Sequence, residues 1–292
     1  MSKRVKNLFF ILCLLFVNLA LGQVVVKGKV MSEQGEPLAY VNIGIKDKNV
    51  GAISDEQGYF SIAIDASKVN EALTFSHIGF CEKTFKISEL TQEPSLVVVL
   101  QEKINQLEEV VVVPSKSELV QIGTTSYSSM VYVRYIRGDG KSSDNASSQS
   151  SDLPDNIDSG EIAKKIKIGK PSLLVDVNVN LFDIDIDTAT FRINVYDIKN
   201  NLPNQRINAE NIIITQTLKN GWNKFDIEKY NLRYDKPIFI TIEYLPKKDE
   251  TSKSLFKYRG KFFGKFITRY HSLGAWDVKK GLTVAMYVTV KQ

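Results

Sequence analysis

The chain has 292 residues, 43% of them apolar, with 38 basic against 33 acidic side chains. That length accommodates two domains of ordinary size, each with its own core. The near-balance of charge excludes the strongly basic composition of a nucleic-acid binder, and two cysteines exclude a disulfide framework.

Residues 1–22 read as a secretory signal peptide. Lys3, Arg4 and Lys6 precede an apolar run from Leu8 to Leu21, and Ala20 and Gly22 supply small residues for cleavage before Gln23. A transmembrane anchor is the rival reading, but the run is shorter than the ~20 residues a spanning helix needs. Cys13 lies within the run without a lipobox, which speaks against a lipoprotein. Cleavage leaves Cys81 as the sole thiol and 35 basic against 33 acidic residues. The expected location is therefore outside the cytoplasm: periplasm, outer membrane or cell surface.

Six short apolar runs follow, from Val24 to Val30, Leu38 to Ile45, Tyr59 to Ile64, Ala72 to Phe75, Lys83 to Ile87 and Leu96 to Leu100. Separated by Gly, Pro and Asp, they predict a small β-sandwich over 23–113. Gln101 to Glu109 can form a helical turn before a strand at Val110 to Val113, which Pro114 ends because it cannot donate to a ladder. Within this domain, Gly35 and Pro37 predict one tight turn. Ser54, Asp55 and Gly58 predict another, with short side chains bonding nearby N–H groups and Gly58 in the left-handed region.

The order G-x-P-L-x-x-V-N-I, then G-x-x-S-D-x-x-G-x-F-x-I, then L-x-F-S-x-I-G-F resembles the carboxypeptidase D regulatory-like domain, from Gly28 to about Leu100. The resemblance implies a transthyretin-like sandwich of about seven strands, non-catalytic in metallocarboxypeptidases. In Bacteroidetes such a domain often precedes the plug of TonB-dependent receptors. Leu107 to Val112 is similar to the segment that follows it there, yet no plug pattern follows and too few residues remain for a receptor barrel.

Residues 114–160 read as a linker, partly disordered. The stretch 138–160 is polar, small and without periodicity, although Ser126 to Arg137 has strand-like aromatics that can belong to the next domain. Over 161–292 longer alternating runs predict a second, larger antiparallel β-sandwich, jelly-roll-like, with turns at Asn220-Gly221 and Lys280-Gly281. This C-terminal half is similar to C-terminal β-domains of Bacteroidetes proteins, a similarity that carries architecture and no activity.

Few residues suggest chemistry, and no cofactor is expected. Asp183, Asp185 and Asp187 share one side of an extended segment and are weak candidates for Ca²⁺, although a solvated strand face gives the same pattern. His77 and Cys81 lack a third ligand or a base, so a packed thiol and a surface histidine are the simpler reading. Arg137-Gly138-Asp139 spells an adhesion tripeptide, a pattern common by chance. Lys247 to Lys280 holds ten basic residues against three acids, interleaved with aromatics. Tyr258, Arg259, Tyr270 and Trp276 could form a glycan or polyanion platform there. The plainer reading makes Phe256/Tyr258 and Lys257/Arg259 the two faces of one strand, with Trp222 in the core.

The expectation is an all-β, non-catalytic binding or assembly protein of the envelope, with an envelope protein as partner. A surface glycan-binding protein is the alternative, and a hydrolase with residues scattered over loops has no constellation behind it.

Overall fold

The computed structural model describes residues 22–91, 96–103, 118–134, 157–247 and 255–292. The sequence readings at the signal peptide, Val110 to Val113 and Arg137 to Asp139 lie outside the described residues. No helix of the described residues is long and apolar enough to cross a membrane.

Among the described residues the first unit has seven strands: β1 (Gln23–Ser32), β2 (Asn42–Gly44), β3 (Gly51–Ile53), β4 (Tyr59–Asp65), β5 (Ala72–Ser76), β6 (Lys83–Lys86) and β7 (Leu96–Leu100). They form two sheets, ordered β4-β1-β7 and β3-β2-β5-β6. Alternation along β1 and β4 turns Val26, Val30, Phe60, Ile62 and Ile64 inward, where they meet Ile43, Leu73 and Phe75 from the other sheet. The predicted turns form around this core. Asp55 Oδ1 accepts from the N–H groups of Gln57 and Tyr59 at 3.0 and 2.8 Å. Gly58 holds φ +81°, and a Cβ there would lie 2.6 Å from the Val30 carbonyl oxygen. Ser54 is buried, its hydroxyl donating to Leu38 O and accepting from Val41 N–H. Gly35 turns the chain at φ +85° just before Pro37, which bridges to Met31.

Among the described residues the second unit has thirteen strands, paired antiparallel into one network. They are β8 (Leu119–Gly123), β9 (Ser128–Arg134), β10 (Glu161–Ile166), β11 (Ser172–Phe182), β12 (Thr188–Lys199), β13 (Leu202–Arg206), β14 (Ile212–Thr217) and β15 (Gly221–Asp226). The remainder are β16 (Arg233–Tyr234), β17 (Ile238–Tyr244), β18 (Lys257–Arg269), β19 (Asp277–Val284) and β20 (Met286–Lys291). β18 is the hinge of the network, pairing β11 at its start and β10 at its end. Residues from β10, β12 and β17 thereby share one apolar core with residues from β11, β15 and β20. Phe191 lies at its centre, in contact with Phe225, Tyr244 and Phe256.

Several expectations are corrected here. β8 falls within the segment read as linker, yet it pairs with β20 and belongs to the second unit, as does β9, which lies in the strand-like stretch Ser126 to Arg137 and pairs with β18. Gly281 stands inside β19 rather than at a hairpin turn, because the chain reverses over 270–276. Cys81 is exposed, not packed.

The two units are docked. Ile53 N–H of β3 donates to Ile157 O at 2.7 Å, and Asp47 N–H donates to Leu273 O at 3.0 Å. Ile53, Ile157 and Leu245 are buried together, with Tyr40 and Ile213 packed against them. Backbones approach closely at Gly51, where a Cβ would lie 2.6 Å from Ser272 O and 2.8 Å from Ser272 N. Gly51→Ala should force the units apart while leaving each core intact. A single cooperative transition in differential scanning calorimetry should then become two; an unchanged single transition would show that the contact gives way freely.

Candidate functional site

The outer face of the β12-β17-β10-β18 sheet should meet solvent, yet it is buried and charged. Alternation sends Phe191, Ile193 and Val195 of β12 into the core, and so sends Arg192, Asn194 and Tyr196 outward. On β17 the same rule places Ile240 and Ile242 inside and Thr241 and Glu243 outside. Strand register then sets Arg192 opposite Glu243, Glu243 opposite Glu161, and Glu161 opposite Arg269. At the usual strand spacing this charged row runs roughly 15 Å across four strands.

Two carboxylates side by side repel, and each is neutralised from its free side. Arg192 grips Glu243 with two N–H···O bonds of 2.7 Å. Its remaining donors reach into the first unit, to Tyr40 O at 2.6 Å and Asn42 Oδ1 at 2.7 Å. Burial opposes charge on Glu243, but Arg192, with Arg206 and Ser159, outweighs it and holds the pKa down to about 2. Ser159 Oγ also donates to Glu243, and Ser272 Oγ donates to Asn42 Oδ1. The same side chains thus fix the units against each other and fill the charged row.

At the other end of the row, Arg269 bonds Glu161 through Nε and Nη2, and its plane lies over the Trp276 ring at 4.8 Å. Arg206, opposite Tyr196 on β13, donates from Nε to the Tyr196 hydroxyl at 2.9 Å and lies 3.4 Å from Glu161. The Tyr196 hydroxyl donates to Glu161 at 3.1 Å and accepts from Arg269 at 2.8 Å. Burial pushes its pKa up to about 12, against the pull of Arg206 and Arg269, so it remains protonated. Burial also disfavours the Arg206 charge, but Tyr196, Glu161 and Glu243 outweigh it and raise the pKa.

The first unit covers the Arg192 end of the row and leaves the Arg269 end open. The result is a cleft of about 950 Å³ between the units. One wall carries Tyr196, Arg206, Arg269 and Trp276, and the other carries Lys46 (paired with Glu82), Asp47, His77, Phe80 and Lys103. This volume lies at the upper end of the usual range for ligand sites. The row itself balances two guanidinium groups against two carboxylates; Arg206, beside it on β13, brings the cluster to three against two, and Arg206 and Arg269 line the cleft.

His77 spans the interface, its Nε2 lying 3.1 Å from Asn211 Nδ2. Burial, then the charges of Arg192 and Arg206, lower its pKa to about 4, so the ring is neutral. The second histidine is also enclosed: His271 Nδ1 lies 2.8 Å from Asp158, whose pKa burial raises although His271 lowers it. His77 is therefore not a surface histidine, because it packs against the second unit. The Asp158–His271 pair resembles part of a hydrolytic triad, but the neighbouring Ser272 hydroxyl is turned to Asn42.

The basic-aromatic platform is not assembled. Tyr258 is 1% exposed in the core, because it alternates inward with Phe256. Tyr258 and Tyr270 border a cavity of about 20 Å³, too small for a sugar. Arg259 stacks on Phe182 at 3.6 Å and donates to Ser129 O. Tyr270 faces Lys279, and of the four only Trp276 reaches the cleft. Trp222 is half-buried against Tyr287. Asp183, turned by a φ of +52°, pairs with Lys257, while Asp185 and Asp187 are exposed. Among the described residues, no three His, Cys, Asp or Glu side chains can hold a metal ion.

Seven strands in two sheets, with a parallel β1–β7 pair, define the first unit as a β-sandwich module. Residues 26–112 match the family model described as the CarboxypepD_reg-like domain, and the unit is a carboxypeptidase regulatory-like domain, a non-catalytic fold. No protein of curated function matches the chain.

Two measurements probe this site. Arg192→Ala leaves Glu243 buried and unpaired, and should cost about 3–5 kcal/mol in chemical denaturation. His77 has a folded pKa of about 4 against 6.5 for the free ring, so the fold binds fewer protons than the unfolded chain. Its contribution is complete above pH 6.5 and is lost as pH falls toward 4, by no more than about 1.4 kcal/mol per pH unit. The stability difference between wild type and His77→Gln should therefore change over that window and be flat above it.

Proposed function

We propose that the chain is an exported, non-catalytic binding protein of the bacterial envelope whose ligand seats in the cleft between its two units. The observation that carries this reading is the excess of guanidinium over carboxylate where the charged row opens into a 950 Å³ cleft beside Trp276. A ligand there meets cationic groups already held in place by Glu161 and Tyr196, which lowers the ordering cost of binding. The chemistry favours an acidic partner, and an exposed acidic segment of another envelope protein fits an assembly role.

An acidic glycan is the second reading, favoured by the Trp276 ring in the cleft wall. The carboxypeptidase regulatory-like domain, a non-catalytic fold that supplies one wall of the cleft, supports a non-catalytic role.

Trp222→Phe leaves Trp276 as the sole tryptophan. Its fluorescence should shift on titration with poly-L-glutamate or polygalacturonate, and the stronger response identifies the partner class. Arg206→Gln should weaken binding about tenfold or more, the scale of one charge-assisted hydrogen bond. If neither polymer shifts the emission, or if Arg206→Gln binds as well as its parent, the cleft is not the site.

A further inference from the structure

At the middle of β18 the ladder with β19 breaks. Phe262 faces Leu282 and Lys265 faces Lys280, so Phe263 and Gly264 together oppose Gly281 alone. This is a β-bulge, a device that re-aims side chains. Here it re-aims an aromatic ring into solvent: Phe263 is 89% exposed and Phe262 47%. Phe263 also holds φ +64°, a conformation that a bulky residue adopts only under constraint. Neither exposure nor strain aids folding, and glycine at this position would avoid both.

The surrounding charges point to the same use. Lys265 and Lys280 are directly opposite, a like-charge pair that opposes strand pairing. Lys261 stands on the other side of the phenylalanines, its Nζ bonded to Ser126 Oγ. All three lysines are exposed, and among the described residues none has an acidic partner. Exposed rings flanked by lysines without acidic partners match a surface that is negative at its rim and apolar beneath. Anionic lipid headgroups over acyl chains have that order.

We propose that the Phe262–Phe263 bulge is a membrane-contact site, by which the protein docks peripherally on a bilayer rich in anionic phospholipid. The phenylalanines enter the headgroup–acyl boundary while Lys261, Lys265 and Lys280 engage the phosphates.

The test is co-sedimentation of the signal-free chain with vesicles of equal parts phosphatidylglycerol and phosphatidylcholine. Binding should be strong, weaken with added salt, and be at least tenfold weaker on pure phosphatidylcholine. Phe263→Gly should keep or raise the melting temperature and lower vesicle partition about tenfold, the scale of one buried aromatic side chain. Phe263→Trp should bind and show a blue-shifted emission on the anionic vesicles. The proposal fails if wild type stays in the supernatant, if Phe263→Gly sediments like wild type, or if the tryptophan emission is unmoved. Equal binding of wild type and Phe263→Gly to heparin, without vesicle binding, would mark a polyanion site instead.

Discussion

The architecture depends on one buried row of charge, Arg192–Glu243–Glu161–Arg269, laid across four neighbouring strands. Each carboxylate would be prohibitive alone in that position, and each arginine equally so. Together they are satisfied, but only if the first unit supplies Tyr40 O and Asn42 to the spare donors of Arg192. Docking is thus a condition for burying the row. The cleft is the consequence at the far end, where the covering unit stops and Arg206 and Trp276 remain partly exposed beside the buried Arg269.

The carboxypeptidase regulatory-like domain takes a modest part in this arrangement. Its turns at Gly35 and at Ser54 to Gly58 shape a sandwich, and the β2–β3 edge of that sandwich presents backbone groups to the second unit. Its docking on the larger sheet turns on two details, Gly51 where backbones touch and the Tyr40 carbonyl where a guanidinium needs an acceptor. The resulting body has its polar interior between domains and its apolar interiors within them.

Much of this was readable in the sequence, and the part that was not has a definite cause. Turn residues act within four or five positions, so Asp55 and Gly58 announce themselves locally. Alternation is local too, which is why the strands of the second unit and the inward direction of Phe256 and Tyr258 could be seen. The charged row is not local: Arg192 and Glu243 are brought together by pairing between distant strands, and nothing in T-F-R-I-N-V-Y-D-I says that its outer face will be covered. A usable hint was present in that Arg192, Asn194 and Tyr196 alternate as regularly as the core residues between them. Conversely, the cluster of cations and aromatics from Lys247 to Lys280 was conspicuous because it is dense in sequence. β18 then distributes it over the core, the sheet junction, the bulge and the cleft.

The hydrogen bond from Ile53 N–H to Ile157 O has an implication for how such a chain is made. β3 is the outer strand of its sheet, and an outer strand with an unpaired N–H invites pairing with other chains. The segment that occupies this position belongs to the far side of the connection between the units. The leading domain therefore emerges first in synthesis but keeps an open edge until residue 157 and its sheet have followed. Its safety from strand exchange with neighbouring chains is a property lent by the domain behind it.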